Sequence, residues 1–287
     1  MSSPEQTQAK VCYRHPRTET AVSCSNCERP ICTDCMVFTS VGIKCPECGG
    51  TPVGAKKAAT RGRTAAFRGT DYIVTRAMIV ICVAVYVLQV AAAGDIRGTT
   101  GEVFREAALF GPFVADGEWW RLVTAGFLHA GPIHLFFNML MLWWFGRPLE
   151  ELIGRGRFIS IYAVSLLAGA AGALLITPTG ASVGASGAVF GILGAGLVLE
   201  RNRIPVFGGA ALIVIAFNLA FSFVLNNVSV GGHVGGLVGG MGAMLVLSRF
   251  GRGHAVYGRI GATELAGLVV LALASVAVSY ARVRGLA

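Results

Sequence analysis

Residues 184–199 read GASGAVFGILGAGLVL, and this stretch decides the fold. A serine between small residues opens an apolar run that meets its first charge at Glu200. A helix from Val183 to Leu199 would span roughly 25 Å, which is short of the ~30 Å hydrocarbon core of a bilayer. If Glu200 marks one surface, Ser186 lies about 21 Å away, roughly 9 Å inside the opposite edge. Close helix packing, with the serine bonded back to its own helix, is the structural alternative to a functional hydroxyl.

The composition is that of a membrane protein. Of 287 residues, 54% are hydrophobic and only 14% are charged, with a mean hydropathy of +0.65. A soluble domain is rarely so apolar, and most of the apolar residues form long blocks beyond Asp71. The net charge of +9 gathers near the ends of these blocks, which suits orientation in a bilayer better than binding of nucleic acid. Residues 1–70 lack a charged segment followed by an apolar one, so we expect no signal peptide and a cytoplasmic N-terminus.

Seven apolar blocks predict an all-α polytopic membrane protein. We place the spans at 72–93, 132–146, 158–177, 184–199, 205–225, 230–248 and 262–281. Basic residues follow spans two, four and six, and the positive-inside rule assigns these loops to the cytoplasm. The residues are Arg147, Arg155, Arg157, Arg201, Arg203, Arg249, Arg252 and Arg259. Arg282 and Arg284 would lie outside, against this trend, and the amphipathic loop 94–131 is expected in the outer interface.

The first 50 residues carry a metal-binding pattern. Seven of the eight cysteines lie here, and with one histidine they form four pairs that share a two-residue gap. The eight ligands are Cys12, His15, Cys24, Cys27, Cys32, Cys35, Cys45 and Cys48. Zinc takes four tetrahedral thiolate or imidazole ligands, so eight ligands predict about two Zn²⁺ ions, which would be structural because no coordination position is left open. Disulfides compete with this interpretation, but the cytosolic location and regular spacing disfavour them.

The segment between the cysteines and the first span is basic and has no acidic residue. Residues 51–70 are rich in Gly, Ala and Thr, which predicts a flexible linker whose charge suits an anionic inner leaflet. A nucleic-acid-binding tail is less favoured directly beside a membrane helix. The chain is therefore expected to divide into a zinc-binding module at 1–50, this linker, and a membrane domain at 71–287.

Four polar side chains are expected at one level of the membrane. Spans two, four and six all begin at the outer surface, and these ends carry His134 with Asn138 one turn later, then Ser186, then His233. Ionisable groups inside a membrane are costly and usually mark function. Glycines at four-residue spacing on spans four and six would let these two helices nearly touch. Ser186 and His233 would then come within hydrogen-bond distance.

This constellation predicts nucleophilic catalysis. A histidine can take the hydroxyl proton of a serine, and no Asp or Glu lies in the spans near this level, so we expect a Ser186–His233 dyad. Phe190 would stack on the imidazole, with plain packing as its alternative role. His134 and Asn138 would donate hydrogen bonds to a developing oxyanion, with a polar clasp between helices as their alternative role.

From about residue 72 to 281 the chain resembles the rhomboid intramembrane serine proteases. The matching features are Trp120-Arg121, His129, His134-x3-Asn138, Gly184-x-Ser186-Gly187 and His233-x2-Gly236-x3-Gly240. The resemblance implies a six-helix catalytic core plus one C-terminal helix, with Ser186 as nucleophile and His233 as general base. It also implies cleavage of transmembrane-anchored proteins near the outer membrane face. Phe190 stands where the family often has tyrosine, and a phenyl ring can also stack.

The cysteine-rich segment resembles a B-box-type zinc finger. Residues Cys12 to Cys35 match that pattern, whereas Cys45 and Cys48 stand where histidines are usual. The resemblance implies cross-bracing, in which the first and third ligand pairs share one ion and the second and fourth share the other. A protein partner would suit such a module, and the sequence does not identify it.

Two other classes of function fit less well. A non-proteolytic rhomboid-like binder or chaperone of membrane proteins would lack the serine or the histidine, and this chain keeps both. A transporter or channel would show charged groups at several depths or inverted repeats, and the sequence shows neither. We therefore expect a multi-pass enzyme of the cell membrane, a serine-type endopeptidase whose substrates are transmembrane proteins. Its catalysis would need no cofactor, and spans two and five or the first loop would have to move to admit a substrate helix.

Overall fold

The computed structural model describes residues 10–39, 42–49, 72–202, 204–224, 228–248 and 260–286. They belong to two compact units, one within residues 1–69 and the other within 70–287. The linker predicted at 51–70 lies outside the described residues, as do Arg203, Arg249, Arg252 and Arg259.

The N-terminal unit contains two small hairpins and one helical turn. Strand β1 (Lys10–Val11) pairs with β2 (Glu19–Thr20), β3 (Val37–Thr39) pairs with β4 (Gly42–Lys44), both antiparallel, and α1 covers Pro46–Gly49. The buried interior consists of five cysteines with Ile31 and Met36. So small an apolar core is typical of a unit that needs metal to fold.

Within its described residues the second unit is a bundle of seven apolar helices, with short helices between the first two. The bounds are α2 (Ile73–Ala93), α3 (Glu102–Ala107), α4 (Gly111–Ala115), α5 (Arg121–Thr124), α6 (Pro132–Met141), α7 (Arg147–Ile153), α8 (Arg155–Ile176), α9 (Ser186–Arg201), α10 (Ala211–Val224), α11 (Val230–Leu247) and α12 (Ala262–Val283). A π-helical turn at Leu142–Gly146 joins α6 and α7 into one helix. The predicted all-α polytopic class is confirmed.

The central helix is short, as the opening stretch predicted. Helices α2, α8, α11 and α12 are long and apolar enough to cross a membrane, and the bent pair Arg121–Phe127 and Pro132–Ile153 raises the number to five. Helix α9 has only 16 residues, which is roughly 24 Å. Its residues from Ala188 to Leu199 are nearly all buried, because α8 and α11 pack along it. Ser186 therefore begins a helix that is too short to span a hydrocarbon core of about 30 Å.

Two boundaries differ from the sequence prediction. The fifth span was expected from residue 205, but α10 begins at Ala211, because Gly208 and Gly209 adopt φ of +65° and +83°, which no helix permits. The carboxylate of Glu200 accepts the amides of Phe207 and Gly209 at 2.9 and 3.0 Å, which fixes this turn. The second span runs on through α7 to Ile153 instead of ending at 146. Hydropathy detects neither feature, since one depends on backbone dihedrals and the other on a helix that includes charged residues.

The long loop between α2 and α6 is a packed structure formed by α3, α4 and α5. Arg121 is 2% exposed and donates to the backbone carbonyls of Arg105 and Ala108 at 2.6 and 2.9 Å. Its Nε donates to the carboxylate of Glu118 at 2.6 Å, and its guanidinium lies over the ring of Phe113. A buried cation of this kind is tolerated because every face of it is paired. These contacts of Arg121 hold α3, α4 and α5 together.

The C-terminal end of α12 lies beside this loop. Trp119 contacts Tyr280 with ring centroids 5.7 Å apart. The guanidinium of Arg282 makes a long 3.4 Å contact to the carbonyl of Leu175 in the last turn of α8. Carbonyls at a helix C-terminus have no partner in the helix and attract cations. This contact gives a local reason for a basic residue at the end of α12, where charge bias alone did not expect one.

Helix α2 is fixed at its start by a buried carboxylate. Glu150 on α7 is fully buried and accepts three hydrogen bonds, from the amides of Val74 and Thr75 at 2.9 and 2.8 Å and from the Thr75 hydroxyl at 2.7 Å. The first amides of a helix have no partner within it, and negative charge there is favourable. Glu150 therefore joins α2 to the second membrane helix.

Replacing Glu150 by Gln should destabilise the bundle by about 2–3 kcal/mol, since an amide nitrogen would face N–H donors and leave one of them unsatisfied in the interior. The neighbouring Glu151→Gln is the matched control, because among the described residues Glu151 pairs only with the half-exposed Arg147, and its replacement should cost less than about 1 kcal/mol. Thermal unfolding in detergent measures both. Equal melting temperatures for the two variants would contradict the capping role.

Candidate functional site

Helices α9 and α11 touch at glycines. A Cβ built on Gly236 would lie 2.0 Å from the carbonyl oxygen of Gly187, and one on Gly240 would lie 2.1 Å from that of Gly191. Real Cβ atoms do not come so close, so any side chain at these positions would force the helices apart. The glycine spacing permitted this close approach, and the structure shows that the two faces do meet.

A second glycine row of α11 faces α8. A Cβ on Gly231 would lie 2.2 Å from the carbonyl oxygen of Gly172, and one on Gly235 would lie 2.3 Å from that of Ala168. Small residues permit such contact between backbones in a membrane, where no hydrophobic effect drives helices together. Helix α11 is therefore in backbone contact with two neighbours at once.

This packing brings the predicted nucleophile and base to adjacent positions. Ser186 is the first residue of α9, and Phe190, one turn later, stacks on His233 with ring centroids 4.2 Å apart and planes 16° apart. His233 lies in the first turn of α11 and is 8% exposed. The expected stacking role of Phe190 is confirmed, and it limits how the imidazole can turn.

Ser186 and His233 were expected to come within hydrogen-bond distance of each other. Their sequence neighbours are close, since a Cβ built on Gly187 would lie 3.3 Å from the carbonyl oxygen of Gly232. Among the described residues the Ser186 hydroxyl makes no hydrogen bond. Catalytic hydrogen bonds are often loose before substrate binds and tighten only in the reacting complex.

His134 reaches the same place from α6. Its Nδ1 accepts the backbone amide of Ala130 at 3.2 Å, which leaves the proton of a neutral ring on Nε2. A Cβ built on Gly184 would lie 2.8 Å from that Nε2 and 3.7 Å from the Ser186 hydroxyl. Gly184 has φ of +125°, so this position requires glycine both for its backbone and for the space beside His134. An N–H donor therefore lies close to the serine.

Asn138 lies one turn after His134 and is 6% exposed. One of its amide hydrogens is donated to the backbone carbonyl of His134 at 2.8 Å, which orients the side chain and leaves the second hydrogen available. His129 contacts the His134 ring edge to face at 5.2 Å and is fully buried. Its backbone is tied to α2 by Gln89, whose amide group bonds the His129 N–H at 2.9 Å and C=O at 3.2 Å.

One residue at this site escaped the sequence analysis. Ser222 on α10 is 4% exposed, and its hydroxyl oxygen lies 2.7 Å from Nδ1 of His233. The signal available in the sequence was a serine one turn after Asn218 in an otherwise apolar span. Its distance of eleven residues from the histidine gave no reason to connect the two, because the connection depends on how α10 packs on α11.

The eight predicted metal ligands form two groups. Cys12, His15, Cys32 and Cys35 make one, and Cys24, Cys27, Cys45 and Cys48 make the other, with ligand atoms within 4.8 Å of one another in each group. None of the described cysteines is in a disulfide. Tetrahedral zinc bonds of about 2.3 Å would separate two sulfurs by roughly 3.8 Å. The observed Cys27–Cys45 sulfur distance of 3.6 Å fits such an ion, and so do the 3.2 and 3.3 Å from His15 Nδ1 to Cys32 and Cys35.

Each group already contains a thiol that ionises easily. Burial opposes ionisation of Cys12, but hydrogen bonds from the backbone at Cys32 and Arg14 and from His15 outweigh it and lower its pKa to about 6. Burial likewise opposes ionisation of Cys24, and backbone hydrogen bonds, first of all at Cys45, lower its pKa to about 6. The thiolate is the form that binds metal. Each group therefore offers one ligand that is ready near neutral pH.

Comparison with known proteins relates the membrane unit to one family. Residues 116–250 match the family profile described as the rhomboid domain. The chain is similar to rhomboid protease GluP of Bacillus subtilis (strain 168), with 36% identity over 165 residues, or 56% of this chain and 31% of that protein. It is 36% identical to RHOMBOID-like protein 5 of Arabidopsis thaliana over 144 residues and 40% identical to RHOMBOID-like protein 2 over 147 residues. These matches cover 46% and 48% of this chain, and 46% of each relative. The chain thus spans less than half the length of each of these three relatives.

Proposed function

The chain belongs to the rhomboid family and is a multi-pass membrane protein, and from that premise we propose that it is a serine-type endopeptidase that cleaves transmembrane-anchored proteins near the outer membrane face. The observation that carries the proposal is the convergence of Ser186, His233 and His134 near the starts of α9, α11 and α6, where α9 and α11 pack through glycine contacts and His134 lies against Gly184. An acyl-transfer reaction needs a nucleophile, a base and a hydrogen-bond donor at one point, and these three residues are of the required types.

Ser186 would attack the scissile carbonyl carbon while its proton moves to Nε2 of His233. The new carbon–oxygen bond forms as the carbonyl π pair moves onto oxygen, and collapse of this intermediate expels the amine, which takes the proton back from His233. Water then hydrolyses the acyl-enzyme by the same two steps. Phe190 would hold the imidazole between the serine and the leaving nitrogen throughout.

His134 and Asn138 would stabilise the oxyanion. Among the described residues, Nε2–H of His134 and the second amide hydrogen of Asn138 make no hydrogen bond, and His134 and the Ser186 hydroxyl both lie beside Gly184. Negative charge that develops where water is scarce must be met by fixed donors, and such donors cost no reorganisation during the reaction. No metal or organic cofactor takes part in this scheme.

A graded series of variants tests these roles. Ser186→Ala and His233→Ala should reduce cleavage of a transmembrane reporter to background. His134→Ala and Asn138→Ala should each lose about 10²–10³-fold in kcat with KM little changed, because the oxyanion exists only in the transition state.

Rate per folded molecule, measured beside the melting temperature, separates catalysis from a polar clasp. If His134 and Asn138 only form a polar contact between helices, their variants should have lower melting temperatures but normal turnover in the folded fraction. Normal turnover in Ser186→Ala, or no cleavage of any reporter by the wild-type protein, would favour instead a non-proteolytic binder of membrane proteins.

We also propose that the N-terminus and the loop before α8 are cytoplasmic, because basic residues gather there. In intact cells an impermeant maleimide should label Thr179→Cys, in the outer loop before α9, and should leave Arg155→Cys unlabelled until lysis. Both positions are exposed, so accessibility is matched. Labelling of Arg155→Cys from outside would invert the topology.

We further propose that the N-terminal module holds two structural zinc ions, one in each ligand group, and presents a folded surface to a protein partner. The soft thiolate and imidazole ligands and the tetrahedral spacings support zinc. Because the apolar core is so small, metal would supply the free energy of folding.

Metal analysis of variants with two substitutions tests the pairing. The wild-type chain should carry about two zinc ions. Cys12→Ser with Cys32→Ser disables one group and should leave about one ion, whereas Cys12→Ser with Cys24→Ser damages both groups and should leave fewer. Equal losses in the two double variants would contradict the pairing, and loss of reporter cleavage on chelation would contradict the purely structural role.

A further inference from the structure

We propose that Ser222 on α10 is the positioning residue of the catalytic base, and that it fixes the tautomer of His233 by accepting a hydrogen bond from its Nδ1–H. This inference rests on the proposed protease function and adds to the Ser186–His233 dyad a third member from another helix. The member is a neutral hydroxyl where a carboxylate is common in serine hydrolases.

The direction of the hydrogen bond follows from two distances. The Ser222 oxygen lies 2.7 Å from Nδ1 of His233 and 2.8 Å from the backbone carbonyl oxygen of Asn218. A hydroxyl has one hydrogen and the carbonyl can only accept, so the hydrogen goes to Asn218. If it went to His233 instead, two oxygens with only lone pairs would face each other at 2.8 Å. Nδ1 must therefore carry the proton and donate it to Ser222.

The tautomer set in this way is the one that a base needs. With the proton on Nδ1, the lone pair of a neutral imidazole is on Nε2, on the opposite side of the ring, where it can take the proton of Ser186. Once Nε2 is protonated, the imidazolium keeps its Nδ1–H bond to Ser222, and a hydrogen bond from a charged donor is stronger than one from a neutral donor. The interaction is therefore stronger in the transition state than in the resting enzyme.

Burial makes this contact consequential. Ser222 is 4% exposed and His233 is 8% exposed, and Phe190 covers one face of the ring. Bulk water has little access to Nδ1, so an alternative acceptor is not readily supplied. Without the Ser222 oxygen, the Nδ1–H tautomer would lose the hydrogen bond that stabilises it relative to the Nε2–H tautomer.

The test compares three variants by a readout that does not depend on substrate entry. Ser222→Ala removes the acceptor and Ser222→Thr keeps a hydroxyl. Ser279→Ala is the matched control, because Ser279 is a buried serine that bonds the carbonyl four residues earlier on α12, as Ser222 does on α10, without a histidine partner. Covalent labelling of Ser186 by a small fluorophosphonate reports the activated serine directly.

Ser222→Ala should label about fivefold to tenfold more slowly than wild type, the factor that one ordinary hydrogen bond represents. Its kcat for a transmembrane reporter should fall by the same factor with KM unchanged. Ser222→Thr and Ser279→Ala should stay within about twofold of wild type by the same measure. Rates are expressed per folded molecule, so that a loss of stability does not lower the measured rate. Labelling of Ser222→Ala at the wild-type rate would overturn the proposal.

The tautomer itself gives a second, independent readout. In protein labelled with ¹⁵N-histidine, and assigned by a His233→Ala spectrum, the ring nitrogens of His233 should report Nδ1–H in wild type and a mixture of tautomers in Ser222→Ala. A wild-type Nε2–H signal would overturn the proposal even if the enzyme is active. If the wild-type protein neither labels nor cleaves, the proposed function fails, and this spectrum still decides the role of Ser222.

Discussion

The rest of the site depends on the distance between the backbones of α9 and α11. Gly187 and Gly191 on one helix meet Gly236 and Gly240 on the other, and a Cβ on Gly236 or Gly240 would collide with the backbone of α9. This approach places the start of α9 beside the first turn of α11 and lets Phe190 reach the ring of His233. A wider separation of the two helices would move Ser186 away from His233 and Phe190 away from the ring. Groups that react together must be aligned to a fraction of an ångström.

In the proposed mechanism the two histidines of the site would have opposite tasks, and the groups that contact their Nδ1 atoms differ accordingly. Nδ1 of His134 faces a backbone amide, which can only donate, so Nε2 of His134 carries a proton. Nδ1 of His233 faces a hydroxyl whose own hydrogen points elsewhere, so we infer that Nε2 of His233 is free of one. Under the proposed mechanism the same type of side chain would thus serve as hydrogen-bond donor in one place and as base in the other. The role open to each histidine depends on the partner of its Nδ1, which lies on the opposite side of the ring from Nε2.

The two units of the chain depend on different sources of stability. The N-terminal unit buries cysteines where a larger domain would bury leucine and phenylalanine, and its stability would come from metal bonds. The membrane unit has ample apolar surface but gains nothing by hiding it from lipid, so it relies on close packing and on buried polar contacts such as that of Glu150. In both units the decisive groups are polar or polarisable side chains whose partners come from distant parts of the sequence.

The sequence by itself determined the class of the fold, the seven apolar helices and the candidate site residues Ser186, His233, His134 and Asn138. It could do so because hydropathy, charge bias and glycine spacing are local patterns, and a polar residue in an apolar run is visible without any coordinates. Only the tertiary structure decided that the glycine faces meet, that α10 begins at Ala211 and that Ser222 lies against His233. These features depend on backbone dihedrals and on contacts between helices. No pattern along one segment records them, because the packing of one helix against another is a property of both.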